Sequence, residues 1–418
     1  MADLRPFAAL RPRADAAAEV ACPPYDVVTR QEALEILARH PHSFMRVARP
    51  DVELPADLDR ADPQIDAAGK RNLEALIAEG WLIKETTPCF YLYQQTLGQH
   101  VQLGLVAAGS LDEYERDLVK RHEKTRALEL EGRTRHIEAL QVNSGPIFLT
   151  YRAQPAIDAL IARLRQRTPA YDFVADDGVR HCFWVIAEPE SIVALQRAFA
   201  AVPACYIADG HHRTAAAAAV RQRRLAQGGA SGPHGGDFFL GVFFPHDQMQ
   251  ILPYNRVVID RGGRTVAALC AEIEAAGFEL AKASSPLPEQ ATCFGMYADG
   301  QWYRLQARPG SYPTDDVVRS LDVSILQDNL LAPILGIKEP RTDPRLQFVG
   351  GIRGTAELER RADKQGGVAF TVFPVSIEQV MAIADAGEVM PPKSTWFEPK
   401  LRSGMAVRSL LDPLPPRV

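Results

Sequence analysis

Apolar positions in this chain alternate between two spacings, and the points of change mark out its elements. Over residues 67–80 they recur at helical intervals, with Leu73, Leu76 and Ile77 on one face and Gly80 as the stop. The same spacing predicts helices over 157–165, 191–200 and 265–276. Thr29, followed three residues on by Glu32, is a capping-box signature for another helix starting at Arg30. Short apolar runs predict strands at 90–95 and 100–106, joined at Leu97-Gly98 as a hairpin. Further strands are expected at 147–151 and 181–186, and at 238–244 and 251–259 as a pair. Asp299-Gly300, between the runs 294–297 and 302–305, predicts a second tight hairpin. Residues 42–50 read as a short strand ending in polar residues. The alternation predicts an α+β fold of mixed sheets with packed helices.

The densest chemistry lies at 204–220. Cys205 to Ala208 is a short apolar run suited to a buried strand, and Ala215 to Ala219 is an unbroken run of the best helix former. Between them Asp209 and Gly210 supply a turn, Asp209 as a helix cap and Gly210 as a close-approach position. His211, His212 and Arg213 then fall in the first helical turn, where free N–H groups already make a positive end. Cations are unfavourable there unless an anion is bound, and a phosphate is the natural occupant. The structural alternative is an ordinary capped helix with solvated His and Arg.

Four other stretches carry polar groups beyond what a fold needs. Tyr25 and Asp26, after Pro23-Pro24, are held on a rigid turn with no structural task of their own. His122, Glu123, Lys124, Thr125 and Arg126 crowd one turn ahead of Arg133, Arg135, His136 and Glu138; if helical, His122 and Arg126 lie on one face. Among those cations Glu123 is the best general-base candidate, because they keep it ionised and aimed. Gly350-Gly351-Ile352-Arg353-Gly354 precedes a helix, so its amides and Arg353 could hold a carboxylate or phosphate, although glycine pairs also make plain turns. Residues 387–404 are stiffened by proline, with Lys393, Ser394, Thr395, Lys400 and Arg402 on an extended hairpin that suits a second anionic group or, alternatively, blunts an edge strand.

Composition narrows the picture by exclusion. A chain of 418 residues implies two or three domains, and its net charge of -5 gives no general attraction to nucleic acid or anionic membranes. No apolar run approaches the roughly 20 residues of a membrane span, and the N-terminus lacks the apolar core of a secretory signal. Six cysteines without C-x-x-C spacing suggest neither zinc nor disulfides, so a reduced, cytoplasmic protein is expected. The Gly-rich stretch 227–236 reads as a boundary, giving a division into residues 1–235 and 236–418.

Six separated motifs, Pro23-Pro24-Tyr25-Asp26, Pro41-His42-Ser43-Phe44, His122-Glu123-Lys124-Thr125, Asn143-Ser144-Gly145-Pro146, Asp209-Gly210-His211-His212-Arg213 and Pro391-Pro392-Lys393-Ser394-Thr395, resemble in this order a bacterial family catalogued as a domain of unknown function, DUF 1015. The Asp-Gly-His-His-Arg motif also resembles the phosphate-binding turn of the ParB and sulfiredoxin superfamily, whose members bind CTP, ATP or ADP, and among which free-serine kinases make O-phosphoserine. The resemblance implies a ParB/sulfiredoxin-like core in residues 1–235, with a second α+β domain contributing the Arg353 and Lys393 loops. It further implies Gly210, His211, His212, Arg213 and Thr214 as nucleotide ligands, Asp209 near a Mg²⁺ or the acceptor, and ATP or ADP, with CTP as an alternative, as the nucleotide. Matching the serine-kinase glutamate to Glu123 rests on local chemistry. Glu123, Asp209 and His212 are then the catalytic candidates, with Tyr25, Asp26, His122, Arg353, Lys393, Ser394, Thr395, Lys400 and Arg402 as substrate candidates. The chain lacks the cysteine that sulfiredoxins carry inside the motif, and the helix-turn-helix and basic character of a partition protein. The expectation is a phosphotransferase with a small-molecule substrate and a nucleotide, no nucleic-acid or membrane partner, and room for a homodimer. The rivals are a nucleotide-binding regulatory protein and a hydrolase or lyase of a small phosphorylated acid.

Overall fold

The run Phe-Phe-Leu-Gly-Val-Phe-Phe-Pro has no charged or hydrogen-bonding side chain, and the strand it forms, Phe238–Pro245, is buried along its whole length. A computed structural model describes residues 2–229 and 234–417 and divides into two compact units, 1–249 with 399–418, and 250–398. In the first unit Phe238–Pro245 lies inside a nine-stranded sheet, parallel to Ile147–Tyr151 and antiparallel to His100–Ser110. Beyond His100–Ser110 follow Phe90–Leu97, Arg180–Ile186 and Tyr171–Val174, with the short Leu4–Arg5 also paired to His100–Ser110. On the other side, Ile147–Tyr151 pairs antiparallel with Cys205–Asp209, which pairs parallel with Val119–Lys120. A strand buried on both faces reads as a continuous apolar run, which is why 238–245 and 147–151 were conspicuous.

The alanine helix, His211–Ala226, packs against the helix Ala127–Leu140. Buried Ala216 and Ala217 give the close approach, and Arg223 ties the pair by reaching Glu131 Oε2 at 2.7 Å and Glu138 Oε2 at 2.9 Å. A second apolar cluster gathers Leu37, Phe44, Met45, Val47, Leu73 and Leu76 with Leu140 and Val407. Its helices are Arg30–Arg39, capped by Thr29 and Glu32 as expected, Met45–Ala48, and Pro63–Ala78. The expected strand at 42–50 is therefore a helical turn, because burying Phe44, Met45 and Val47 together in that cluster outweighs their strand preference.

The second unit is built on a six-stranded, wholly antiparallel sheet in the order Phe278–Ala283, Gln301–Ala307, Cys293–Ala298, Val368–Val372, Tyr254–Val258, Leu346–Gly350. The Asp299-Gly300 hairpin is present, with φ of 47° and 80° as a primed turn requires. The helices Val266–Ala275 and Gly354–Gln365 belong to this unit, and Leu358 and Ala362 of the latter join its core.

Two expectations about connectivity change. The strands near 238–244 and 251–259 do not pair with each other: Phe238–Pro245 is interior to the first sheet, while Gln250–Leu252 pairs with Trp396–Glu398 and Tyr254–Val258 joins the second sheet. For the same reason, where the sequence pattern divides the chain after residue 235, the first unit keeps the following strand and regains the chain at 399–418. Of the Gly-rich stretch at 227–236, residues 230–233 lie outside the described residues; Gly235–Asp237 is a short helical turn capped by His234. All six cysteines are free thiols.

Candidate functional site

Strand Cys205–Asp209 ends at Gly210, which takes φ +104° and ψ 26°, a conformation that strains any residue with a side chain. Gly210 is the N-cap of the alanine helix, and no side chain caps it. The expected cap, Asp209, is engaged elsewhere: Lys400 Nζ donates to its Oδ2 at 2.6 Å, and Arg213 Nη2 lies 3.7 Å from its Oδ1. Burial works against the Asp209 charge, but the fields of Lys400 and Arg213 override it and hold the carboxyl well below the usual carboxylate range. Asp209 is thus drawn away from the cap position, and Gly210 has no side chain to take its place.

The two histidines face the segment 121–126. Instead of the expected helix, that segment is an irregular loop ahead of Ala127–Leu140, and the imidazoles supply the reason. His211 Nε2 accepts the His122 amide at 3.4 Å, and His212 Nε2 accepts the Arg126 amide at 3.0 Å. Backbone donors that a helix would turn along its own axis are here taken by side chains of another element. An accepting Nε2 leaves the proton of a neutral ring on Nδ1, and His211 Nδ1 stands 3.7 Å from Glu123 Oε2. The His122 and His211 rings meet edge to face with centroids 4.5 Å apart. Burial lowers His122 to about 4, and burial followed by the neighbouring His122 pushes His211 well below the ordinary imidazole range, so both are neutral near pH 7. Thr214 is buried and donates its hydroxyl to Gly210 O at 3.2 Å, back into the helix.

Two residues on from His211, the helix turns Arg213 to another side. Its side chain is 10% exposed; Nη1 donates to Pro146 O, Nη2 lies 3.8 Å from Asp26 Oδ2, and buried Nε has no hydrogen-bond partner among the described residues. The guanidinium borders a cleft with about 460 Å³ of empty space, part of it open to solvent, lined also by Tyr25, Arg133, His136, Ser144 and Ser403. Arg133 Cζ lies 4.0 Å from the Tyr25 ring centroid, and burial, reinforced by the Asp26 charge, pushes the Tyr25 hydroxyl up to about 12. Tyr25 and Asp26, which had no evident structural task, thus stand beside the motif arginine.

The remaining candidates divide. Lys400 reaches Asp209, whereas Arg402 is buried in a separate network, donating to His181 Nε2 at 3.3 Å and to Asp177. Arg353, Lys393, Ser394 and Thr395 belong to the second unit. There Arg353 is exposed at the end of the turn Gly351–Arg353, Lys393 has φ 57° with Nζ 5.6 Å from the Tyr254 ring, and Ser394 donates to Pro391 O at 2.7 Å. The expected extended hairpin at 387–404 is a turn leading into strand Trp396–Glu398. Arg133, His136, Ser144 and Ser403 line the cleft without having been singled out as site residues. The charge density around 133–138, the Asn143-Ser144-Gly145 motif and, for Ser403, its place in the donor-bearing stretch 387–404 were the available signals.

Among the described residues no group of three or more His, Cys, Asp and Glu side chains could hold a metal ion, and no helix is long and apolar enough to cross a membrane. Residues 4–324 match the profile of a family described as Protein of unknown function (DUF1015). None of the curated proteins matches the chain. Among solved structures it is distantly similar to a free serine kinase in complex with AMP, at 14% identity and a TM-score of 0.34 over 70% of this chain and 86% of that one. A comparable likeness, 15% identity and TM-score 0.34 over 74% and 87%, joins it to SbnI with a C-terminal truncation from Staphylococcus aureus. A conserved hypothetical protein from Pyrococcus furiosus gives 14% and 0.34 over 73% and 95%.

Proposed function

We propose that this chain, which belongs to the DUF1015 family, is a nucleotide-dependent phosphotransferase acting on a small hydroxyl acceptor, with free serine the acceptor of first choice. The observation that carries this reading is the start of the alanine helix: a glycine N-cap, with the adjoining Asp209 held by Lys400, beside a nine-tenths-buried guanidinium whose Nε has no hydrogen-bond partner among the described residues. Amides and guanidinium together form a preorganised cradle for phosphate oxygens and for the charge that develops during transfer. The resemblance of the motif to the phosphate-binding turn of ParB and sulfiredoxin proteins supports it.

In this reading the amides of residues 211–213 and the Arg213 side chain hold the nucleotide phosphates, while His211 and His212 shape the neighbouring loop. Magnesium ordinarily binds through one or two carboxylates together with substrate phosphates. Asp209 is the carboxylate at the helix start that would share such an ion with the phosphates, and the ion would neutralise part of the phosphate charge. Glu123 would take the acceptor's proton if the acceptor lies on the His211 side of the helix start, and loss of transfer in Glu123→Gln is the corresponding test.

The deciding experiment incubates the purified chain with ATP, ADP or CTP, Mg²⁺ and hydroxy amino acids, with phosphorus NMR as the readout. A phosphomonoester product that grows with time is the expected result. A rise in melting temperature with nucleotide, and no product from any pairing, would instead select a nucleotide-responsive binding protein. That second reading draws on one observation: the side chains lining the cleft are cations, hydroxyls, amide, imidazole and apolar groups, without a carboxylate.

A further inference from the structure

His136 has no part in phosphate binding at the helix start, yet it is the most sharply prepared side chain of the cleft. It follows Arg133 by three residues on the helix Ala127–Leu140, so both project from one helical face, and both line the cavity beside Arg213. The side chain is 3% exposed, and its Nδ1 lies 3.8 Å from Asp66 Oδ1. Asp66 is itself steadied by Arg135, whose Nε stands 3.4 Å from Oδ2. Gly69 fixes the ring from a third direction: even a Cβ there would come within 3.3 Å of His136 Cε1. A carboxylate behind Nδ1 keeps the proton on that nitrogen, which leaves Nε2 as a lone pair. Nε2 is buried and has no hydrogen-bond partner among the described residues.

Beside the cleft His136 Nε2 is a buried acceptor without a partner among the described residues, and the guanidinium groups of Arg133 and Arg213 bring an excess of donors. A complementary ligand must carry an anionic group and a proton donor a few bonds apart. A simple carboxylate satisfies the cations alone; a small hydroxy acid satisfies the imidazole as well. We propose that the cleft seats the acceptor as a small hydroxy acid, its carboxylate on Arg133 and its hydroxyl on His136 Nε2, and that His136 takes the hydroxyl proton during transfer. This rests on the phosphotransferase reading. As the acceptor oxygen bonds to the terminal phosphorus of the nucleotide, the bridging P–O bond breaks and its electron pair leaves with the nucleotide. The acceptor's proton passes to His136 Nε2 and from there to solvent. Asp66 is a positioning residue in this scheme, acting through the ring.

Two measurements test it. Long-range proton–nitrogen NMR of the wild-type chain labelled at histidine, titrated with L-serine and D-glycerate in the absence of nucleotide, should move the Nε2 resonance of His136; acetate should move it far less. With ATP and Mg²⁺, His136→Gln should lower kcat by roughly 100- to 10,000-fold, the range of a lost general base, while KM for ATP stays within about twofold. Asp66→Asn should lower kcat by about tenfold. Retained kcat in His136→Gln, or an Nε2 resonance unmoved by any hydroxy acid that the wild type phosphorylates, overturns the proposal and leaves the phosphotransferase standing. The NMR arm decides even if His136→Gln does not fold. Hydroxy-acid binding at His136 with no product from any nucleotide overturns the phosphotransferase and the proton transfer together. Loss of turnover in Glu123→Gln but not in His136→Gln puts the acceptor on the opposite side of the helix and also overturns it.

Discussion

The start of the alanine helix has two sides, and they are built on opposite principles. On one, His211 and His212 spend their ring nitrogens on the amides of His122 and Arg126, and the neutral rings of His122 and His211 are packed edge to face. On the other, Arg213 and His136 line an open cleft, and each has a buried nitrogen without a hydrogen-bond partner among the described residues. Burying a polar atom unsatisfied costs roughly 1–3 kcal/mol, so a ligand that completes the bonding of these two gains on that scale. The histidine pair that dominates the motif in sequence thus pins the neighbouring loop, and the less conspicuous arginine borders the cleft.

The sharpest way to break this contrast is to remove the guanidinium. Arg213→Met should weaken ADP binding by roughly 4 kcal/mol, about a thousandfold, as expected for truncating one partner of a buried charge pair. Isothermal titration measures it directly. Affinity within a few-fold of wild type would mean that the phosphates are held on the histidine side instead.

Acid titration attacks the closed side. His122 is lowered to about 4 from its ordinary 6.5, with burial as the cause. Above pH 6.5 folded and unfolded chains are both neutral at this ring; between 6.5 and 4 the unfolded chain binds a proton that the folded one refuses. Stability is therefore lost as pH falls through that window. Each tenfold difference in proton affinity between the two states is worth about 1.4 kcal/mol, so His122 alone removes about 3 kcal/mol by pH 4. His211 and His136 are displaced in the same direction and steepen the fall. Denaturant midpoints measured from pH 7 to pH 4.5 should show it, and His122→Gln should flatten the slope; a flat wild-type profile would mean that these rings reach solvent.

Lys400 offers a middle-sized test, since it is what draws Asp209 away from the helix cap. Its ammonium is 15% exposed and the Asp209 carboxylate 24%, between the buried and surface regimes of ion pairs. Lys400→Met should cost roughly 2 kcal/mol in urea denaturation and raise the Asp209 pKa. Freed from its partner, Asp209 becomes able to swing over the first-turn amides. Weaker ADP binding in this variant would then come from a carboxylate competing for the phosphate seat, and unchanged binding would show that the amides contribute little.

Legibility in the sequence followed the range of the determining contacts. The capping box at Thr29 and Glu32, the Asp299-Gly300 hairpin and the strand-turn-helix at 205–226 depend on neighbours a few residues apart, and each was readable. Residues 42–50 misled because a distant apolar cluster, and no local pattern, makes Met45–Ala48 helical. Loop 121–126 misled because its amides are claimed by imidazoles 86 and 89 positions further along. The partner of Asp209 lies 191 residues away, and the cleft draws Tyr25, Arg133, Ser144, Arg213 and Ser403 from separate stretches. Spacing rules do not reach such distances, so the strand-turn-helix of the motif was legible and the side chains gathered around it were not.

The smallest expected effect probes the scaffold without touching the cleft. His212 is half-buried, and its Nε2 holds the Arg126 amide at 3.0 Å, just before the helix Ala127–Leu140 begins. Removing one acceptor from a partly hydrated amide costs about 1 kcal/mol, because water takes over much of the bond. His212→Ala should therefore lower global stability only slightly, while amide hydrogen exchange at residues 122–126 speeds up by about fivefold as the loop loses one of its two pins. ADP affinity should stay within about twofold if the imidazole serves the loop alone. A tenfold or greater loss of affinity would give His212 a direct hand on the phosphates and erase the division between a structural and a chemical side of the helix.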